Sequence, residues 1–193
     1  MLKLQHKIVL ASGSPRRKEL LSGLGLEFEV RLLPGINESY PEGLTGEDIA
    51  MAISKKKADA YKDTMKPDEL IITADTIVCL DGLVLGKPHD EIEAVSMLKT
   101  LRGRTHQVIT GITLLTTKRK HSFATISHVT FAHLSDKEID YYVTHYHPLD
   151  KAGAYGIQEW IGYVGVERIE GSYFNVMGLP VQRLYKELKQ FTI

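Results

Sequence analysis

Two hydroxyls, a proline and two arginines fall within six residues in Ser12-Gly13-Ser14-Pro15-Arg16-Arg17, between the apolar run 7–11 and a pattern carrying Leu20, Leu21 and Leu24. Ser14 suits a helix N-cap and Pro15 the first helical position, which puts Arg16 and Arg17 in the first turn. Cations there oppose the helix dipole. With free backbone N–H groups and the hydroxyls of Ser12 and Ser14, however, they form an anion-binding cup. Two solvated surface arginines are the plainer alternative, so the cup needs support from elsewhere. Asp75 supplies it, because it interrupts the otherwise apolar run 70–80, where a lone ionised carboxylate is costly unless paired or bound to a metal. That makes Asp75 a candidate catalytic or metal-binding group, against the alternative of a strand end or a local backbone partner. Glu38, in the polar loop 34–43, is a weaker candidate for a second hard oxygen ligand to Mg²⁺.

Lys55, Lys56 and Lys57 are consecutive, but helical phase separates them. With Ile49, Ile53 and Ala60 as the apolar stripe, Lys57 lies roughly 30° from its centre and Lys55 almost opposite. Lys57 therefore leans inward, either as a snorkelling rim lysine or as a phosphate ligand. Lys87, in the tight turn Gly86-Lys87-Pro88, is a further candidate cation, against the plainer alternative of an exposed turn lysine. The chain has no Gly-x-x-x-x-Gly-Lys-Ser/Thr phosphate loop and no dinucleotide fingerprint, and its eight histidines lack the spacing that puts two imidazoles on one helical face. An anion cup, several cations and a buried carboxylate remain. That set suits Mg²⁺-dependent attack on a phosphate.

The elements that must position these groups alternate. Residues 7–11 read as strand and are followed by a loop and a helix, then by a strand over 26–33 and a helix over 46–61. A buried strand over 70–80 turns at Asp81-Gly82 into 83–85, ahead of a helix over 90–101. Residues 106–117 and 122–134 form a long β-ribbon with the charged tip Lys118-Arg119-Lys120-His121. A helix over 135–145, a strand over 163–169 and a closing helix over 181–191 complete the chain. This order predicts an α/β fold with a mixed sheet flanked by helices, since a ribbon cannot be a parallel crossover.

Composition narrows the rest. With 43% hydrophobic and 25% charged residues among 193, the chain is an ordinary globular protein, read as one domain with room for a second, ribbon-centred lobe. Its 24 basic and 24 acidic side chains cancel, so no global field holds it on nucleic acid or anionic lipid. Cys79, the single cysteine, can form neither an intrachain disulfide nor a Cys-based zinc site, which suits a reducing cytoplasm. No run is long and apolar enough for a membrane span or a signal peptide.

Several blocks together resemble one family. Ser12-Gly13-Ser14-Pro15-Arg16-Arg17, Ala74-Asp75-Thr76, Gly86-Lys87-Pro88, Gly103-Arg104-Thr105-His106, Asp150-Lys151-Ala152-Gly153-Ala154-Tyr155-Gly156-Ile157-Gln158 and Gly171-Ser172-Tyr173-Phe174-Asn175-Val176-Met177-Gly178-Leu179-Pro180 look like the Maf proteins, in the family's order and across nearly the whole chain. The resemblance implies a bilobed, twisted mixed sheet with a nucleotide cleft, related to the inosine triphosphatase fold. It also implies a nucleoside triphosphate pyrophosphatase of the dTTP/UTP branch, dependent on a divalent metal (Mg²⁺ or Mn²⁺) and working as a homodimer on pyrimidine nucleoside triphosphates, modified ones included. The family's other name, septum formation inhibitor, implies the alternative of a nucleotide-binding regulator of cell division that needs no turnover. Carried over by position, the resemblance makes Asp75 the proton acceptor, with Arg16, Thr76 and Gln158 selecting substrate. Arg17, Lys57 and Lys87 become the phosphate-facing cations, and Glu38 joins Asp75 as an acidic metal ligand. Asn37 departs from relatives that have a second acid beside the glutamate. Gln158 also makes chemical sense, because a fixed carboxamide can both donate to O4 and accept from N3–H of uracil or thymine, and cytosine reverses that pattern. A freely rotating Gln158 would flip and accept both.

Overall fold

The computed structural model describes residues 2–192 and builds its sheet from the apolar runs. The strands are β1 (Lys7–Leu10), β2 (Phe28–Val30), β3 (Glu69–Leu80), β4 (Leu83–Leu85), β5 (Thr105–Leu115), β6 (Lys120–Phe131) and β7 (Val166–Glu170). They join in the order β2-β1-β3-β5-β6-β7, with β4 paired to β3. β1 lies parallel to both β2 and β3, whereas β3–β4 and β6–β7 are antiparallel, so the sheet is mixed as the alternation of elements predicts. Asp81 (φ 50°) and Gly82 (φ 83°) are both left-handed, the backbone that a two-residue hairpin needs and Asp-Gly favours.

The helices are α1 (Pro15–Ser22), α2 (Gly46–Asp59), α3 (Glu91–Leu101), α4 (Asp136–Tyr146), α5 (Trp160–Gly165), α6 (Tyr173–Met177) and α7 (Val181–Leu188). α3 begins on Asp90, whose side chain accepts from Glu93 N–H, and α4 on a capping box of Ser135 and Glu138. None of the helices among the described residues is long and apolar enough to cross a membrane.

The sequence expectation of a strand over 163–169 is corrected here: residues 163–165 end α5, and only Val166–Glu170 is strand. Gly162 N–H donates to Glu159 O at 2.8 Å, and a Cβ on Gly162 would overlap Ile157 O, so this glycine fits a tight helical turn against a carbonyl. That packing overrides the β-propensity of the Tyr-Val-Gly-Val run. The strand expected over 26–33 pairs only at Phe28–Val30. α6 was not expected; five residues are too short to show a period.

The chain divides into two compact units. The first comprises the described residues up to Asp75, Thr110–Thr125, and those from Gly178 onward. Its core gathers Val9, Ala58, Tyr61, Ile71 and Leu115. α2 lies on the sheet at Gly111, where a Cβ would stand 2.4 Å from Ala50 O, so the two backbones touch. Thr73 donates to Ser54 O (2.7 Å), and the Ser54, Thr113 and Ser122 hydroxyls chain together at 3.0 and 2.9 Å, fixing the height of α2 above β3, β5 and β6. The charged ribbon tip is tethered in this unit, with Lys120 on Asp59 (2.9 Å) and Arg119 over the Phe191 ring. The second unit, Thr76–Ile109 and Ile126–Met177, packs His106 edge-on to Phe131 and Tyr155, with its Nε2 2.7 Å from the Tyr155 hydroxyl.

Candidate functional site

In the first unit two of the predicted residues, Asp75 and Glu38, meet on the ammonium of a third, Lys57. Lys57 Nζ stands 2.7 Å from Asp75 Oδ1 and 3.0 Å from Glu38 Oε1. Asp75 and Lys57 keep only 12% and 14% of their side chains exposed, against 54% for Glu38. The inward lean that helical phase assigned to Lys57 is present, with Lys55 and Lys56 exposed. The stripe itself is Ile49, Ala50, Ile53, Ser54 and Ala58; Ala60 lies past the helix end and is exposed.

Glu38 is carried by a loop with several anchors. Leu33 and Ile36 pack on the core, and the Tyr61 hydroxyl donates to Arg31 O (2.7 Å) and accepts from Leu33 N–H (3.2 Å). Asn37 Oδ1 accepts from Ser39 N–H at 2.8 Å, so Asn37 caps the turn bearing Glu38. Lys56 Nζ holds Ser39 through its carbonyl (3.1 Å) and hydroxyl (2.9 Å). Sequence reasoning missed this role of Lys56, which its exposed helical phase does not reveal.

The start of α1 has the cap and first turn that the sequence predicts. Ser14 caps α1 by accepting from Arg17 N–H (3.4 Å), Pro15 occupies the first turn, and Ser12 Oγ accepts from Ser14 N–H (3.3 Å). The two hydroxyls thus use part of the cup's own donors. Arg17 reaches beyond it: Nη1 donates to Ala74 O and Nε to Gly178 O, both at 2.9 Å, and Nη1 lies 3.5 Å from Ser12 Oγ. Burial pushes the Arg17 pKa down, with Arg16 adding to the effect and the charges of Asp75 and Glu38 opposing it. The cup is therefore tied to the peptide immediately before Asp75. Nothing local in the sequence reveals either carbonyl contact, since Ala74 and Gly178 are distant along the chain. Thr76 follows Asp75 on β3 and is only partly buried.

In the second unit, Lys87 is exposed just after β4. Its turn is joined to the segment that carries Gln158: Gly153 N–H donates to Gly86 O (3.0 Å), and a Cβ on Gly153 would press on Val78 at 2.9 Å. Gln158 is partly buried, and its Oε1 is buried with no hydrogen-bond partner among the described residues. An unpaired buried acceptor costs about 1–3 kcal/mol, which a ligand donor would recover.

No group of three or more His, Cys, Asp or Glu among the described residues is placed to hold a metal ion. Asp75 and Glu38, converging on one ammonium, are a two-carboxylate set. That is the donor number that suits Mg²⁺ sharing a substrate's phosphates and keeping its waters.

A mixed sheet flanked by helices, with the arginine-bearing start of α1 tied to the peptide before a buried aspartate, defines an α/β protein with a candidate anion site. The chain belongs to the Maf-like protein family, whose sequence pattern matches residues 7–191. It is 64% identical over 186 residues to the dTTP/UTP pyrophosphatase of Phocaeicola vulgatus, covering 96% of each chain. Identity to the dTTP/UTP pyrophosphatase of Bacteroides thetaiotaomicron is 59%, again over 96% of each. The Porphyromonas gingivalis dTTP/UTP pyrophosphatase is 57% identical, over 97% of this chain and 95% of that one. Among solved structures, a dITP/XTP pyrophosphatase from Mycobacterium abscessus aligns over 94% of this chain and 93% of its own, with 16% identity and a TM-score of 0.45.

Proposed function

We propose that this chain hydrolyses dTTP and UTP between the α and β phosphates, giving the nucleoside monophosphate and pyrophosphate. The observation that carries this reading is the buried Asp75–Lys57 pair, with Glu38 on the same ammonium and Arg17 gripping the carbonyl just before Asp75. The names of its 57–64% identical relatives support the same substrates.

Asp75 orients the attacking water and takes its proton as the new bond forms at the α phosphorus. The bond from that phosphorus to the bridging oxygen breaks in line, and the electron pair leaves with pyrophosphate. Lys57 holds Asp75 in place and, with Arg17 and Lys87, offsets the charge that builds on the departing oxygens. Arg17 adds positive potential while fixing the Ala74 peptide, so its effect on Asp75 is one of position. Ser12 and Ser14 present the α1 terminus to the phosphates. Asp75 and Glu38 would hold a divalent metal, Mg²⁺ or Mn²⁺, which when bound polarises the phosphates and neutralises their charge. Gln158 reads the O4 and N3–H edge, Arg16 and Thr76 assist in selection, and modified pyrimidine triphosphates that keep this edge are substrates too. On the same reading the protein works in a reducing cytoplasm as a homodimer, as the family resemblance implies.

The test is pyrophosphate release from dTTP, UTP, CTP and GTP, with Mg²⁺ and with chelator. Release from dTTP and UTP, equimolar with the monophosphate and abolished by chelation, is expected. Orthophosphate as the product, or equal rates on all four nucleotides, contradicts the proposal.

A further inference from the structure

We propose that Tyr142, Glu159 and Lys151 are positioning residues that set the orientation of Gln158, and through it the choice of base. The inference rests on the reading of Gln158 as the base-selecting residue. Gln158 is the third residue of a turn closed by Glu159 N–H donating to Gly156 O at 3.0 Å. Both ends of that turn are fastened to one phenol. Gly156 N–H donates to the Tyr142 hydroxyl (3.0 Å), and the same hydroxyl donates to Glu159 Oε2. The other carboxylate oxygen of Glu159 lies 3.1 Å from Lys151 Nζ, and Lys151 also reaches Asp150 Oδ1 at 2.7 Å. Tyr142 is fully buried and Lys151 is 7% exposed, with the Glu159 side chain 20% exposed, so the Tyr142–Glu159–Lys151 contacts are largely shielded from water, whereas Asp150 faces solvent.

The backbone leaves the turn little freedom. A Cβ on Gly156 would lie 2.9 Å from Glu159 Cδ and 3.0 Å from Lys151 Cε, and Ile157 O is pressed against Gly162. Ala154, entirely buried, is held left-handed at φ 59°, a conformation that persists only where its surroundings impose it. Burial and the neighbouring Glu159 raise the Tyr142 pKa, so the phenol stays a donor. Every anchor thus falls on the residues flanking Gln158, and its own amide oxygen is left buried with no partner among the described residues. A backbone fixed this way delivers the carboxamide to one place, where the base can settle it in one donor–acceptor order that rejects cytosine; a loosened turn lets it shift, rotate and accept both.

The experiment measures kcat and KM for UTP and CTP in Tyr142→Phe, Glu159→Ala, Glu159→Gln and Gln158→Ala, with thermal melting alongside. Tyr142→Phe should raise the KM for UTP about tenfold with little change in kcat, and lower the UTP-over-CTP ratio of kcat/KM toward that of Gln158→Ala. Glu159→Ala should do the same. Glu159→Gln, whose amide oxygen can still accept from Tyr142 while its NH2 group faces the Lys151 ammonium, should restore only part of the preference. If Gln158→Ala loses the preference while Tyr142→Phe and Glu159→Ala keep it and only melt earlier, the network is merely structural and the proposal is overturned. If Gln158→Ala itself keeps the preference, Gln158 does not read the base, and both the reading and the proposal fall.

Discussion

Two buried acidic residues on β3, six positions apart, answer the same desolvation problem differently. Glu69 receives both Nη groups of Arg31 (2.9 and 2.7 Å) and the Lys66 N–H (2.8 Å), so its carboxylate is saturated by structural partners. Asp75 is held by a lysine that a second acid shares, which keeps a charge poised for a ligand. Sequence singled out Asp75 because it breaks an apolar run, and passed over Glu69 because it sits at the strand's edge with its partner far back in the chain. The titrations follow from these environments. Arg31 holds the Glu69 carboxyl down at about 2, so the stability it confers is complete above its ordinary value near 4.5 and is lost as pH falls toward 2. Burial holds His106 down at about 4, so the unfolded chain takes up this proton first, and stability declines as pH falls from about 6.5 to 4. Melting between pH 7 and 3 should therefore show a loss beginning near 6.5 and steepening below 4.5. Glu69→Gln should remove roughly 3 kcal/mol of the lower part. A flat profile contradicts both environments.

Among the elements, those with a clear pattern or cap were legible: β1, α1 with its Ser14 cap, α2 and the β3–β4 hairpin stand where hydrophobic pattern and turn residues placed them, and the β5–β6 ribbon is present but lies one to three residues earlier than expected, with Lys120 and His121 already in β6. The failures cluster between Tyr155 and Met177, where a glycine contact turns a strand-like run into α5, and α6 is too short to carry a period. Those contacts depend on tertiary neighbours that local pattern does not encode. The height of α2 is another such feature, since it rests on Gly111 lying against Ala50. Gly111→Ala must push α2 off the sheet and Lys57 with it. A loss of about 2–3 kcal/mol in urea unfolding is expected, together with reduced turnover in the fraction that folds. Unchanged stability and turnover would show that the helix is free to slide.

For the whole molecule, zero net charge confines anion chemistry to local clusters, and on the proposed function the cup tied to Asp75 is that cluster. Its members come from β1–α1, the loop bearing Glu38, α2 and β3, so the site depends on the fold closing before any chemistry is possible. Pattern recovered Asp75, Lys57 and the cup as separate signals. That Arg17 joins them through Ala74 and Gly178 became visible only with the chain folded. The central claim is that Asp75 performs the chemistry and does not merely help bind the nucleotide. The measurement that bears on it most directly is UTP turnover by Asp75→Asn, with UTP affinity determined on the same protein. Turnover should fall by about 10²–10⁴ while affinity stays within severalfold of the parent. Near-normal turnover, or a loss accounted for entirely by lost affinity, would contradict it.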